Sequence, residues 1–178
     1  LDSTRINPEN KRTGLIFYCD RLRLSALLQQ LGAGLDQGEG HISGTIPVVF
    51  GDNGLRFRDA FLYSTPGETG SIKLKPSQSI SATAAASEQL SFTLDALSDF
   101  NYSWVKLSLN SEKDLLKIKL QTDGRPANKL YYIPKDGILV RSEIANDFTG
   151  LELDANLNIP LINTLELFQN FKQLFSPR

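Results

Sequence analysis

An Asn53-Gly54 pair between two alternating runs is the feature that most constrains the fold of this chain. Both central residues of a two-residue type I′ turn need positive φ, so Asn-Gly between alternating runs strongly favours a β-hairpin. A third alternating run follows Thr65-Pro66-Gly67. Successive side chains of a strand point to opposite faces, so the three runs predict a meander with one apolar face.

The spacing of the apolar residues predicts which of them share that face. The first strand is predicted to contribute Ile42, Ile46, Val48 and Phe50, the second Leu55, Phe57, Phe61 and Tyr63, and the third Ile72 and Leu74.

Alternating runs recur along the rest of the chain, and three stretches have helical spacing. The predicted further strands are 14–24, 101–110, 116–121, 130–133, 137–144 and 151–159, and the predicted helices are 25–31, with Ser25 as N-cap, 88–100 and 161–175. The fold class is therefore mainly β, with two or three short helices and a curved antiparallel sheet that forms a groove or half-barrel. Because sheet faces need a second layer, a sheet folded on itself as a sandwich or barrel is an open alternative.

Composition limits the possible partners. The 178 residues predict a single domain, residues 1–178, and 19 basic against 20 acidic residues give no charge excess for nucleic acid. Cys19, the one cysteine, excludes an internal disulfide and a cysteine-based zinc cluster. The start at Leu1-Asp2-Ser3 suggests a piece of a longer protein, whose membrane anchor would lie outside this sequence.

Residues with potential chemistry are few, and none forms a catalytic signature. His41 is the only histidine and is interpreted as a surface residue at a strand start rather than a metal ligand. Ser43 lies between Gly40 and Gly44, but it is displaced by one position from the nucleophile-elbow pattern, so the glycines are interpreted as bulges or close-approach points. Cys19 is interpreted as a buried, inert thiol. We therefore predict no enzyme activity, no cofactor and no metal site.

Two functions suit a sheet with so continuous an apolar face. In the first, the face is a groove that holds an apolar ligand, and the leucine-rich helices close its ends. The second is a structural or assembly module, with a closed core and a partner bound at an edge strand or at the C-terminal helix. The predicted ligand-binding residues of the groove are Ile42, Ile46, Val48, Leu55, Phe57, Phe61, Ile72, Leu74, Val105, Leu107, Leu109, Leu116, Ile118 and Leu120.

Five short stretches within residues 22–168 carry a family resemblance through their order. They are the leucine-rich helix 25–31, the run Gly40-x-Ile42-Ser43-Gly44-x-Ile46-Pro47-Val48, the Pro66-Gly67 turn, Ala96-Leu97-Ser98-Asp99-Phe100-x-Tyr102, and Leu157-Asn158-Ile159-Pro160-Leu161. Together they resemble the C-terminal region of the YdbH-like proteins. This family belongs to the AsmA-like group of bacterial envelope proteins, which also includes TamB.

The resemblance implies a periplasmic segment of an intermembrane phospholipid transport protein that serves outer membrane biogenesis. It also implies an inner-membrane anchor upstream of this chain, and a small outer-membrane lipoprotein that could add a strand to the sheet edge. Dicarboxylate transport is an older label for the same group. No cluster of Arg or Lys in a pocket-like motif supports that label here.

Overall fold

A computed structural model describes residues 5–6, 13–31, 35–51, 54–75 and 87–160. The elements in chain order are β1 (Arg5–Ile6), β2 (Thr13–Arg23), α1 (Leu24–Gln30), β3 (Leu35–Gln37), β4 (His41–Gly51), β5 (Gly54–Phe57), β6 (Ala60–Ser64), β7 (Gly70–Leu74), α2 (Glu88–Leu97), β8 (Phe100–Glu112), β9 (Leu115–Pro126), β10 (Leu130–Lys135), β11 (Ile138–Asn146) and β12 (Leu151–Pro160).

One large antiparallel sheet dominates the structure. Its strands lie in the order β1, β2, β4, β6, β8, β9 and β12, with β5 beside β4, β7 beside β8, and β3 beside β7. The described strands do not close on themselves, since β1 and β12 lie at opposite ends of this order. The prediction of a mainly β fold with a large open antiparallel sheet is confirmed.

Several strands are segments of longer, interrupted strands. Both β5 and β6 pair with β4, while β6 and β7 pair with successive parts of β8. Between β3 and β4 the backbones of Glu39 and Ser71 exchange hydrogen bonds of 3.2 and 2.9 Å, which continue the ladder to β7. The predicted hairpin is present as the antiparallel pairing of β4 with β5. The predicted position of Gly54 in the turn is wrong, because Gly54 pairs with Gly51 and is the first residue of β5.

Gly44 is where β4 approaches β6 most closely. It has φ +149°, and a Cβ built on it would lie 2.2 Å from the carbonyl oxygen of Phe61. Only glycine fits this position without moving the neighbouring backbone. The interpretation of this glycine as a close-approach point is confirmed.

The helices differ from their predicted bounds at three ends. The predicted cap at Ser25 is wrong: α1 begins one residue earlier, with Arg23 at the N-cap and no side-chain hydrogen bond there. In α2 the Ser87 hydroxyl oxygen accepts a hydrogen bond from the Leu90 N–H, and the helix ends at Leu97, so Phe100 begins β8 instead. The predicted helix 161–175 lies outside the described residues.

Strand β9 is longer than its spacing predicted. The predicted strand ended at residue 121, whereas residues 123–126 continue the pairing with β8. The register shifts by one residue between Tyr102 and Trp104, and the pairing then continues past Gly124. Gly124 leaves room for the neighbouring backbone: a Cβ there would lie 2.1 Å from the Asn101 carbonyl oxygen. A glycine and a proline in sequence therefore mark a close approach within the sheet rather than its end.

A separate two-stranded hairpin, β10 with β11, packs on α2 rather than joining the large sheet. The ring of Tyr132 meets that of Phe92 edge to face, with centroids 5.2 Å apart. Phe148, just after β11, meets Phe92 from a second side at 5.3 Å. These aromatic contacts join the hairpin to the main core.

Candidate functional site

The predicted groove residues lie together on one face of the large sheet. We call this the inner face. Thirteen of the fourteen are buried, with 0–4% of each residue exposed, and they extend from β4 across β5, β7 and β8 to β9. The thirteen are Ile42, Ile46, Val48, Leu55, Phe57, Ile72, Leu74, Val105, Leu107, Leu109, Leu116, Ile118 and Leu120.

Phe61 is the exception, and its predicted place on the inner face is wrong. It is 46% exposed on the opposite, outer face, as is Tyr63 at 43%. Phe57 lies opposite Val48, but Phe61 lies opposite Thr45, so β6 has gained one residue relative to β4. Asp59, with φ +51°, lies in this interruption. A one-residue shift reverses side-chain direction, so Ala60, Leu62 and Ser64 point inward instead.

The inner face continues onto β12, which the predicted set omitted. Leu153, Ala155 and Leu157 are 2–6% exposed and pair with the inner-face positions of β9. Their alternation with Glu152, Asp154, Asn156 and Asn158 was a clear signal that this strand buries one face.

Polar groups on the inner face are few and satisfied. The buried Ser64 hydroxyl oxygen accepts a hydrogen bond of 3.0 Å from the Val105 N–H. The hydroxyl of Thr122, which is 0% exposed, donates to the Trp104 carbonyl oxygen at 2.7 Å. Both hydroxyls hydrogen-bond to the backbone of the sheet. Within the described residues these bonds are accounted for without a ligand.

Both helices belong to the same core as the inner face. Leu24, Leu27 and Leu28 of α1 are 0–3% exposed, and Phe92, Leu94 and Leu97 of α2 are 0–4% exposed, all within one continuous apolar cluster with the sheet. The inner face is therefore covered in this structure, and its apolar surface is not open to water.

The possible nucleophiles and bases are not brought together. Cys19 lies opposite Gly44 while His41 lies opposite Arg23, so the two are separated by roughly 10 Å along the strand direction. Cys19 is buried, and burial raises the pKa of its thiol to about 11. The thiol therefore stays protonated at neutral pH, and its interpretation as a buried thiol is confirmed.

Ser43 and His41 take part in surface contacts around a bulge in β2. The Ser43 hydroxyl oxygen accepts from the Arg21 N–H at 3.1 Å and lies 3.4 Å from a carboxylate oxygen of Asp20. Glu68 contacts the Arg21 guanidinium, and its other oxygen lies 3.5 Å from His41 Nδ1. The hydrogen bond from Arg21 holds the pKa of the Glu68 carboxyl below its ordinary value. This cluster tethers the loop before β7 to β2 and β4.

Metal ligands are not clustered in the part of the chain that the structure describes. There, no group of three or more His, Cys, Asp or Glu side chains could hold a metal ion. The same residues contain no helix that is both long enough and apolar enough to span a membrane.

Two shallow clefts lie on the outer face of the sheet. The larger, about 540 Å³, is lined by β7, β8 and β9, including Asp123 and Arg125, and by Glu39 between β3 and β4. The smaller, about 370 Å³, lies across β8, β9 and β12 and includes Lys117 and Lys119. The ammonium groups of these lysines already contact Glu112 and Asp154. A dicarboxylate needs two available cations, which neither lining offers.

One edge of β12 pairs with β9 over all ten residues, 151–160. Among the described strands, none pairs with the other edge. An unpaired edge of this length presents a row of backbone donors and acceptors to a further strand.

Comparison with known proteins identifies the family. A family model described as "YdbH-like: Intermembrane phospholipid transport protein YdbH" matches residues 1–128, which is more than half of the chain. The chain belongs to the YdbH-like family. The predicted resemblance is thus confirmed, and the family is one of intermembrane phospholipid transport. No curated protein and no solved structure matches the chain.

The YdbH-like match covers the elements from β1 to β9 and ends before β10. Four of the five stretches that carried the resemblance lie within it, while Leu157-Asn158-Ile159-Pro160-Leu161 lies beyond. The large sheet nevertheless continues through β12. The family match and the sheet therefore end at different strands.

Proposed function

We propose that this chain is a periplasmic segment of an intermembrane phospholipid transport protein, and that its inner face shields acyl chains. The observation that carries the proposal is the continuous apolar strip of thirteen buried side chains across β4 to β9 in a member of a phospholipid transport family. Acyl chains leave water at about 0.8 kcal/mol per methylene, so such a strip needs no specific polar site.

Because the inner face is covered, lipid could reach it only if part of the covering layer moved. Since α1 and α2 share the apolar cluster with the sheet, an acyl chain would have to take the place of one of these helices. Helix α2 is the better candidate, because its neighbours include β7, β9 and β12, near the middle and one end of the sheet. Lipid carriage by this segment would thus require a helix to move away from the sheet.

Native mass spectrometry of the gently purified chain, followed by denaturing extraction and lipid analysis, is the first test. We expect phospholipid that is released only on unfolding. A clean mass without lipid, repeated after incubation with phospholipid vesicles, would contradict acyl-chain shielding in this segment. The result would then favour the assembly role described below.

Two phenylalanines provide a matched pair for the same assay. Phe57 is 1% exposed on the inner face, and Phe61, four residues later, is 46% exposed on the outer face. We expect Phe57→Glu to lower the lipid occupancy of the folded chain beyond what its lowered stability explains, and Phe61→Glu to leave occupancy and stability nearly unchanged. Leu107→Glu should behave as Phe57→Glu does. A fall in lipid occupancy that the lower stability fully explains would identify these positions as ordinary core positions.

The second candidate function is an assembly module of the envelope, favoured by the covered core and by the edge of β12 that pairs with no described strand. Here a small outer-membrane lipoprotein adds a strand beside β12 through backbone hydrogen bonds. A photo-crosslinking residue at Asn158 in cells should capture a lipoprotein, whereas one at Asn110, on the outer face of β8, should not. Equal capture at both positions would contradict strand addition at this edge.

Inner-membrane anchoring of the whole protein and the lack of enzymatic activity are further parts of the proposal, and the family resemblance supports both. Cell fractionation of the whole protein tests the first. Phospholipase and esterase assays test the second, with Ser43→Ala and His41→Ala as controls. Turnover that these substitutions abolish would overturn it. Dicarboxylate transport stays a prediction from the older family label, and the two clefts give it no support, because Lys117 and Lys119 already contact carboxylates.

A further inference from the structure

The β10–β11 hairpin presents an apolar face to solvent. Tyr131 is 59% exposed, Ile133 36% and Ile138 54%, and Lys135 lies beside them in the pleat. The register pairs Ile133 with Val140 and Lys135 with Ile138, so these side chains share one face. We call Tyr131, Ile133, Lys135, Ile138 and Val140 the outer hairpin face.

The opposite face of the hairpin fixes this orientation. Tyr132 is 2% exposed against α2, and its hydroxyl donates a 2.8 Å hydrogen bond to a carboxylate oxygen of Asp95. Arg141, opposite Tyr132 in the register, lies 3.4 Å from the same oxygen and 5.8 Å from the tyrosine ring centroid. Because one face is held on α2, the outer hairpin face must point away from the core.

The tip of the hairpin is short. Lys135 pairs with Ile138, so the turn consists of Asp136 and Gly137 alone. Both have positive φ, +51° and +82°, as a type I′ turn requires. Ile138 and Lys135 are therefore held at the very end of the projection, with no long loop beyond them.

Two adjacent residues carry the charge at the hairpin tip. Lys135 is the only charged member of the outer hairpin face, and Asp136 lies next to it in the turn. Lysine and tyrosine can bury their apolar stems or rings in lipid while their polar ends stay at the headgroup level. A lysine ammonium also complements the phosphate of a phospholipid.

We propose that the outer hairpin face docks the chain on a phospholipid bilayer. This inference rests on the proposed function, because a protein that carries phospholipid between membranes must meet a membrane surface. The size of the surface favours lipid over protein: β10 and β11 have only 6 and 9 residues, whereas a stable protein interface uses about 20–30 residues a side. A bilayer accepts a small apolar tip because insertion needs no complementary pocket.

Vesicle sedimentation with matched isoleucines tests the proposal. The probe is a vesicle of phosphatidylethanolamine with a minor share of phosphatidylglycerol. Ile133 is 36% exposed on the hairpin, and Ile16 is 37% exposed on β2 of the large sheet. We expect the chain to sediment with vesicles and Ile133→Asp to lower the bound fraction about tenfold, since it replaces an inserted side chain with a charge. Ile16→Asp should leave the bound fraction within about twofold.

A label at the tip gives a second readout that does not depend on a disruptive variant. Ile138→Cys can carry an environment-sensitive fluorophore, because Cys19 is buried with a raised thiol pKa and reacts poorly. We expect its emission to shift to the blue and to rise when vesicles are added. An unchanged emission, no sedimentation of the wild-type chain, or equal losses from both aspartates would overturn the proposal.

Two further measurements separate this inference from the alternatives. If Ile133→Asp converts a dimer to a monomer in sedimentation velocity, a second copy of the chain covers the face and the bilayer proposal is overturned. Phospholipid released from the same preparations reports on the proposed function. Released lipid without vesicle docking would overturn the docking surface alone. Docking without released lipid would support the docking surface and count against acyl-chain shielding.

Discussion

The inner face of the large sheet and the outer hairpin face have similar side chains and opposite surroundings. Leu107, in the middle of β8, is 0% exposed, whereas Ile138, at the hairpin tip, is 54% exposed. Both lie on strands paired in an antiparallel ladder. Strand pairing alone therefore does not bury a face, because a second layer must cover it. Within the described part of the chain, α2 covers the hairpin on the side of Tyr132.

The largest expected difference between the two regions is in stability. Leu107→Ala should lower the free energy of unfolding by about 3 kcal/mol, because it leaves a cavity in a closely packed core. Ile138→Ala should change it by less than about 0.5 kcal/mol, as at most exposed sites. Urea denaturation monitored by Trp104 fluorescence measures both. Similar losses would mean that the hairpin face is covered in solution.

Substitution of one glycine in each region tests the same difference between the large sheet and the hairpin. Gly44→Ala places a methyl group against the Phe61 carbonyl oxygen, so we expect a loss of about 2–3 kcal/mol. Gly137 has φ +82° but open space around it, so Gly137→Ala should cost about 1 kcal/mol from conformation alone. Urea midpoints of the two variants give the comparison. A Gly44→Ala variant as stable as Gly137→Ala would contradict the close approach of β4 and β6.

Alkaline pH should lower the stability of both regions, because one buried tyrosine in each must ionise. Burial raises the pKa of Tyr102, in β8, to about 12, and burial together with the Asp95 hydrogen bond raises the pKa of Tyr132 to about 12. Each folded pKa exceeds the unfolded value near 10, so this stabilisation is complete below pH ~10 and is lost as pH rises towards ~12. Urea midpoints should fall across that window. Tyr102→Phe and Tyr132→Phe should each make the fall shallower, whereas Tyr131→Phe, on an exposed tyrosine, should not.

A small and local effect should come from the polar contact that holds the hairpin on α2. Asp95→Ala removes the acceptor of the Tyr132 hydroxyl and the contact with Arg141, and we expect a loss of about 1 kcal/mol. Backbone hydrogen exchange should show faster opening of β10 and β11, while β8 and β9 keep their protection. Equal acceleration throughout would show that hairpin and sheet open as one unit.

The sequence determined most of the inner face because apolar alternation is regular wherever one face is buried. Leu116, Ile118 and Leu120 alternate with lysines and glutamine, and the structure buries all three. The failure at Phe61 came from a stretch whose two faces are both apolar: Ala60 and Leu62 alternate with Phe61 and Tyr63. Periodicity cannot choose between two such faces, and the decisive one-residue shift is set by tertiary pairing with Thr45.

The hairpin presented the same ambiguity. Leu130-Tyr131-Tyr132-Ile133 is apolar on both faces, which indicates a strand but not which side meets a helix. The contact of Tyr132 with Asp95 and Phe92 spans about 40 residues of sequence, and no local pattern encodes it. A strand with two apolar faces was nevertheless a signal that one face could be left uncovered.

The open ends of the sheet order have a consequence for how such a protein could change its length during evolution. A sheet that does not close can gain or lose strands at either end without altering its cross-section, since each added strand extends it by about 4.8 Å in the hydrogen-bonding direction. Duplication of one hairpin would lengthen the apolar strip by roughly 10 Å and leave the existing register intact. The distance spanned between two membranes could thus be adjusted in whole hairpins, independently of what the strip carries.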